Sequence, residues 1–254
     1  MARVLITGST SGLGLAAARD LLRHGHEVVL HARSSARVAD LDIASSAVGV
    51  VIGDLASAAE IRHLAEQINA IGSIQTVIHN AAVYSEPTRG STPEGHAGTV
   101  AVNVLAPYLL TAWIERPARL VYLTSDMHRS GSTTLDDLDW TARPWNGTQA
   151  YCDSKLHIIA LTLALARRWP DTRVNAVDPG WVPTRMGGRS APDDLELGHV
   201  TQTWLAVSDD PEASITGGYW HHQRQQRPAA VASEPKFQDA LLEALEQLTD
   251  VRLP

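Results

Sequence analysis

Tyr151 and Lys155 stand four residues apart in the run Tyr151-Cys152-Asp153-Ser154-Lys155. The surrounding pattern predicts a helix over Gln149–Trp169, so the phenol and the ammonium share one face. An unperturbed phenol titrates near pH ~10. A neighbouring ammonium favours the phenolate and brings the hydroxyl toward the range where it exchanges protons with a substrate. Tyr-x-x-x-Lys alone arises by accident in many chains. Lysine is scarce here, however: of 21 basic residues, only Lys155 and Lys236 are lysines. A compact ammonium suits a phenol and neighbouring hydroxyls better than the planar fork of arginine.

A second constellation suits an anion. A strand predicted over Arg3–Thr7 runs into Gly8-Ser9-Thr10-Ser11-Gly12-Leu13-Gly14, and a helix is predicted over Leu13–His24. Glycines let backbone approach a phosphate, and a helix start offers free N–H groups and the positive end of its dipole. The alternative is a plain structural turn, since Gly-x3-Gly-x-Gly differs from the G-x-G-x-x-G fingerprint. No Gly-Lys-Ser/Thr follows, which excludes a P-loop. Thr10 holds the centre of the G-x-S-x-G pattern, which excludes a nucleophile elbow. At the end of the next predicted strand, Leu30-His31-Ala32-Arg33-Ser34-Ser35 has no acid to bind a ribose 2′-hydroxyl. Arg33 can pair with a 2′-phosphate instead, which points to NADP rather than NAD; its alternative is an ordinary solvated arginine.

The elements that must position these groups alternate. Short apolar runs at Arg3–Thr7, Glu27–His31, Val48–Gly53, Gln75–His79, Leu120–Thr124 and Arg173–Asp178 predict buried strands. Between them, Leu13–His24, Ser34–Ala44, Ser57–Ile71, Pro93–Ile114 and Gln149–Trp169 predict helices. Ser57 and Glu60 have capping-box spacing, and Pro170 stops the last of these helices. Such alternation predicts an α/β fold in three layers. Its centre is a doubly wound parallel sheet (a Rossmann fold) with its crevice at the carboxyl ends of the strands. One domain is expected over residues 1–254, with a mobile substrate lid at about 181–215 and a C-terminal extension at about 216–254. A helix around Leu195–Val207, a strand near Gly217–Trp220 and a helix around Pro235–Leu248 complete the pattern.

Composition narrows the function classes. The chain has 254 residues, 44% hydrophobic, enough to bury a sizeable core. A net charge of −7 argues against nucleic acid or an anionic membrane as partner. The single Cys152 excludes an intrachain disulfide and any cysteine metal cluster. The histidines show neither H-E-x-x-H nor a carboxylate-backed i, i+4 pair, so no metal is expected. The most apolar stretch, Ile158–Ala166, falls short of the roughly 20 residues that span a bilayer. No signal-peptide pattern opens the chain, and a soluble cytoplasmic protein is expected.

Thr7-Gly8-x3-Gly12-x-Gly14, Asp54-Leu55, Asn80-Ala81-Ala82, Asn103, Ser125, Tyr151-x3-Lys155 and Asp178-Pro179-Gly180 resemble, in order and spacing, the short-chain dehydrogenase/reductase family. The resemblance covers about residues 2–185. Thr124-Ser125-Asp126-Met127-His128, Asp136-Asp137-Leu138, Tyr151–Leu156 and Thr216–Trp220 are similar to its branch of retinol-dehydrogenase-like and protochlorophyllide-reductase-like enzymes.

The resemblance implies NADPH-dependent hydride transfer between nicotinamide and the carbonyl or secondary alcohol of a small, apolar substrate. It makes Tyr151 the general acid or base, with Lys155 binding the nicotinamide ribose and lowering the Tyr151 pKa. Ser125 would bond the reacting oxygen, and Asn103 would hold a water in a proton relay. Gly8, Ser9, Ser11, Gly12, Leu13 and Gly14 would surround the phosphates, and Arg33 the 2′-phosphate. Asp54 and Leu55 would bracket the adenine, and Asn80, Ala81 and Ala82 would underlie the cofactor. Ala82 departs from the glycine more common there. Pro179, Gly180, Val182 and Thr184 would border the nicotinamide, and Met127, Trp181 and Met186 would line an apolar pocket. Subunits of the family pair through helices such as Pro93–Ile114 and Gln149–Trp169, as a homodimer or homotetramer, where a tail like Thr216–Pro254 does not cover them. Two alternatives are a non-catalytic NADP-binding regulator and an epimerase or dehydratase. Too few residues follow Gly180 for the substrate domain typical of the latter.

Overall fold

Val4, Leu5, Ile6, Val28, Val29 and Leu30 have no exposed surface, as strands covered on both faces require. The computed structural model describes all 254 residues. Its strands are β1 (Arg3–Ile6), β2 (Glu27–Ala32), β3 (Gly49–Ile52), β4 (Thr76–His79), β5 (Arg119–Leu123), β6 (Arg173–Asp178), β7 (Tyr219–His221) and β8 (Arg224–Gln226). They form one sheet in the order β3-β2-β1-β4-β5-β6-β7-β8, parallel except for β8, which runs antiparallel to β7. The order reverses between β1 and β4, which opens a crevice at the carboxyl ends of those strands.

Side chains alternate between two cores. Leu5, Val29, Val77, Leu120 and Val174 face one layer; Val4, Val28, Ile78, Val121 and Val177 face the other. The first core meets α2 (Ala58–Ile71), α4 (Ala106–Trp113), α5 (Gly147–Arg168) and α7 (Pro235–Thr249). The second meets α1 (Gly12–Arg23) and α6 (Val200–Val207). The doubly wound parallel sheet read from the sequence is therefore present.

Two local readings differ from the structure, and one hairpin has no sign in the sequence. Ser34–Ala44 forms no helix: only single turns at Ser35–Arg37 and Ala44–Ser46 occur, and neither buries a side chain. An unpacked short helix does not hold itself together in water. The Pro93–Ile114 segment becomes helical only at α3 (Gly98–Val100), and a π turn over Ala101–Leu105 separates α3 from α4. The β7–β8 hairpin carried no turn signal, because His222 (φ 46°) and Gln223 (φ 59°) occupy left-handed positions that usually fall to Asn-Gly.

Caps and tail fix the remaining geometry. Ser57 caps α2 by accepting from the Glu60 N–H at 3.4 Å, but the Glu60 carboxylate turns to the Asp54 N–H at 2.7 Å. The carboxylate thus pins the Asp54 turn instead of completing the box. The α7 helix packs along α5, and the last residues close over this layer. Tyr108 donates to the Val251 carbonyl at 2.6 Å and Trp169 Nε1 to the Pro254 carbonyl at 3.1 Å. The tail thus covers part of the α4–α5 surface through which subunit pairing was expected. No helix is long and apolar enough to cross a membrane.

Candidate active site

Gly8, Arg33, Asp54, Asn80, Ser125 and Pro179 each follow the carboxyl end of a strand, so one crest of the sheet gathers the sequence-predicted residues. At its β1 end, Gly8 (φ 66°) and Gly12 (φ 56°) take left-handed backbone that favours glycine. Gly14 has a different reason: a Cβ there would lie 2.5 Å from both Asn80 Nδ2 and the Gly8 carbonyl oxygen. The N–H groups of Gly12, Leu13 and Gly14 have no acceptor within the chain, and the first turn of α1 holds no acid. Those free donors and the helix dipole suit a phosphate. Gly14→Ala is expected to weaken dinucleotide binding about tenfold or more, read by fluorescence titration.

Thr7 braces this turn from below. Its hydroxyl accepts from the N–H groups of Asn80 (2.9 Å) and Ala81 (3.0 Å), while Asn80 Nδ2 returns a bond to the Thr7 carbonyl (2.9 Å). The ends of β1 and β4 are thereby locked at the point where the crevice opens. Arg33 is exposed and makes no ion pair. Asp54 Oδ1 accepts from the Ala56 N–H at 3.0 Å.

The β5–β6 end of the crest opens on a cleft of about 870 Å³. Leu13, Ser125, Tyr151, Pro179, Gly180, Val182 and Thr184 border it, and Met127, Trp181 and Met186 supply apolar wall. Ser9, Ser11, Arg33, Asp54, Leu55, Asn80–Ala82 and Asn103 lie outside this cleft. Tyr151 is buried, its ring edge-on to Tyr84 at 4.7 Å between centroids. Lys155 is buried behind it, with Nζ 5.2 Å from the Tyr151 ring centroid and donating to the Leu123 carbonyl at 3.0 Å.

Electrostatics at the phenol differ from the reading that Lys155 lowers its pKa. Burial raises the Tyr151 pKa, the Asp178 carboxylate raises it further, and Ser125 pulls it down. Burial also brings Lys155 down to about 8, with Asp178 opposing. The ammonium is stripped of water and donates to a carbonyl, while Asp178 is the charge that acts on the phenol beside burial. That carboxylate had no assigned role in the sequence reading beyond the Asp-Pro-Gly run. Its Oδ1 accepts from the Gly180 N–H at 3.0 Å, and its Oδ2 from the Tyr219 hydroxyl at 3.4 Å.

Asn103 sits in the π turn, a feature often found at functional sites. Its Oδ1 accepts from the Val83 N–H (2.8 Å), and Nδ2 donates to the Val83 carbonyl (3.0 Å) and the Ser154 hydroxyl (3.0 Å). Both amide protons are committed to protein partners, so they are not free to hold a relay water. Sequence reasoning also missed His128, which is buried. It bonds the Ser125 carbonyl through Nδ1 (2.7 Å) and accepts from the Ala229 N–H through Nε2 (3.0 Å). This pair of bonds requires the Nδ1–H tautomer, and it ties the Ser125 backbone to the C-terminal extension.

A family model described as enoyl-(acyl carrier protein) reductase matches residues 8–211. The short-chain dehydrogenase chry4 of Gibberella zeae is 41% identical, with 100% of this chain and 99% of the relative covered. Retinol dehydrogenase 13 of Homo sapiens is 28% identical over 99% of this chain and 85% of its own length. Among solved structures, an uncharacterized protein from Mycobacterium Paratuberculosis matches with a TM-score of 0.84 at 26% identity, covering 100% of this chain and 95% of that one. A match through most of the sheet, together with relatives that align from end to end, places the molecule: the chain belongs to the short-chain dehydrogenase/reductase family of oxidoreductases.

Proposed function

We propose that the chain is an NADPH-dependent oxidoreductase that moves a hydride between nicotinamide and the carbonyl or secondary alcohol carbon of a small, apolar molecule. The observation that supports this most is that Ser125 and Tyr151 open into one cleft with Lys155 directly behind the phenol. The residues fit a dinucleotide: free N–H groups begin α1, Gly14 leaves room that a side chain would fill, and Arg33 is unpaired. When bound, the dinucleotide supplies or accepts the hydride.

The chain's own groups do the rest. Ser125 Oγ donates to the substrate oxygen as negative charge gathers there. The Tyr151 hydroxyl gives that oxygen a proton during reduction and takes one back during oxidation. Burial and Asp178 hold the phenol in its protonated form, the state from which a reduction starts. Lys155 Nζ, which already donates to the Leu123 carbonyl, would offer its remaining protons to the ribose hydroxyls of a bound dinucleotide. A relay water at Asn103 uses the second lone pair of Oδ1 or the backbone carbonyl, since the amide protons are committed. Trp181 (57% exposed) and Met186 (43% exposed) lie on the segment read as a lid over the single domain, and their closure over substrate would exclude water. A cytoplasmic setting fits the single, buried Cys152.

Titration with NADPH and NADH, followed by a carbonyl panel read as loss of reduced-nicotinamide absorbance, tests the proposal. Absence of dinucleotide binding, or turnover that survives Tyr151→Phe, overturns it. NADPH binding without turnover across the panel favours a non-catalytic NADP-binding protein. Arg33→Asp is expected to weaken NADPH about tenfold or more while leaving NADH little changed, because only the former brings a 2′-phosphate to that side chain.

A further inference from the structure

We propose that His31 is a positioning residue for the dinucleotide: its neutral ring clamps the glycine-rich turn to the end of β3, and so fixes the phosphate donors relative to Asp54. This rests on the reading that a dinucleotide binds along the crest.

The geometry assigns the tautomer. The Gly8 N–H donates to His31 Nδ1 at 2.9 Å, so Nδ1 has no proton and Nε2 has one. Nε2 then donates to the Gly53 carbonyl, also at 2.9 Å. A single imidazole thus spans the ends of β1 and β3, which are separated in the sheet by β2. The backbone of His31 adds to the clamp. Its N–H donates to Ser9 Oγ at 2.9 Å, and its carbonyl accepts from the Ser9 N–H at 3.2 Å.

Two consequences follow for the ligand. The Gly8 and Ser9 amides are consumed inside the protein, which leaves the Gly12, Leu13 and Gly14 amides for a phosphate. Asp54 directly follows the Gly53 carbonyl that the ring holds, so one side chain sets both ends of the adenosine half of the crest. The ring is 3% exposed; burial lowers its pKa, opposed by the Gly53 carbonyl and by Asp54, the charged group that faces it. Protonation at Nδ1 would set two donors head to head at Gly8 and open the turn.

His31→Leu keeps the bulk and removes both ring bonds; His31→Gln keeps an acceptor and a donor. The Leu variant is expected to raise the NADPH dissociation constant about tenfold, with kcat at saturation changed less than about twofold, and the Gln variant to recover most of that loss. In the dinucleotide-free protein, Gly8 amide exchange should accelerate in the Leu variant, and nitrogen NMR of the wild type should show the His31 proton on Nε2. A proton on Nδ1 overturns the proposal even where the Leu variant fails to fold. Unchanged NADPH affinity, or a kcat loss as large as the affinity loss, also overturns it. If the wild type binds no dinucleotide, the reading of function fails. Gly8 exchange and the ring tautomer then still report separately on whether the clamp exists.

Discussion

Tyr151→Phe is expected to lower carbonyl turnover about a thousandfold, within the 10²–10⁴ that a positioned proton donor contributes, with NADPH affinity unchanged. The substitution removes only the hydroxyl. The ring keeps its edge contact with Tyr84 and its place over Lys155, so the helix and the Lys155 side of the cleft are undisturbed. Single-turnover rates with a saturating ketone, set beside dinucleotide titrations of both proteins, separate the two effects. Retention of more than about a tenth of the rate means that another group delivers the proton.

Lys155→Met has a double expected outcome: turnover falls by about a hundredfold or more, and the dinucleotide-free protein becomes more stable at neutral pH. An ammonium in this position is desolvated without a carboxylate in direct contact, and an apolar chain of similar length does not incur that cost. The pH dependence follows from the same burial. The Lys155 pKa is about 8 in the fold, below its value in the unfolded chain. Between about pH 8 and 10 the unfolded chain therefore binds more protons at this residue, and wild-type stability gains from Lys155 as pH rises. The Met variant lacks that gain, so the stability difference between the two narrows across this window. Denaturant unfolding at several pH values measures it; a Met variant less stable than wild type at pH 7 contradicts the argument. Lys155→Arg is not expected to restore turnover, because the planar fork has a different shape and donor geometry from the ammonium that meets Leu123.

What the sequence disclosed were features whose chemistry is local. The Gly8–Gly14 turn and the Tyr151–Lys155 spacing are complete within a few residues, and the strand–helix alternation that carries them needs only periodicity. Partnerships across the chain were invisible. His31 meets Gly8 and Gly53, His128 meets Ala229, and Asp178 meets Tyr219, all pairings that the topology creates. Asn103 was conspicuous as an asparagine inside a helix, but its partners Val83 and Ser154 belong to other elements. Ser34–Ala44 misled for the opposite reason: its pattern allowed a helix, but only Leu41 and Ile43 around its end reach the second core, and its short turns bury no side chain.

The bond from Ala229 to His128 bears on how this scaffold can be re-engineered. Exchanging the segment after Gly217 between relatives is an obvious way to transplant substrate preference, since it leaves the hydride-transfer apparatus in the recipient. Here the donor segment would also bring, or omit, the N–H that holds His128 against the Ser125 carbonyl. Chimaeras built at that junction will inherit selectivity and the aim of the Ser125 hydroxyl as one unit. A graft should therefore move His128 and its receiving loop together.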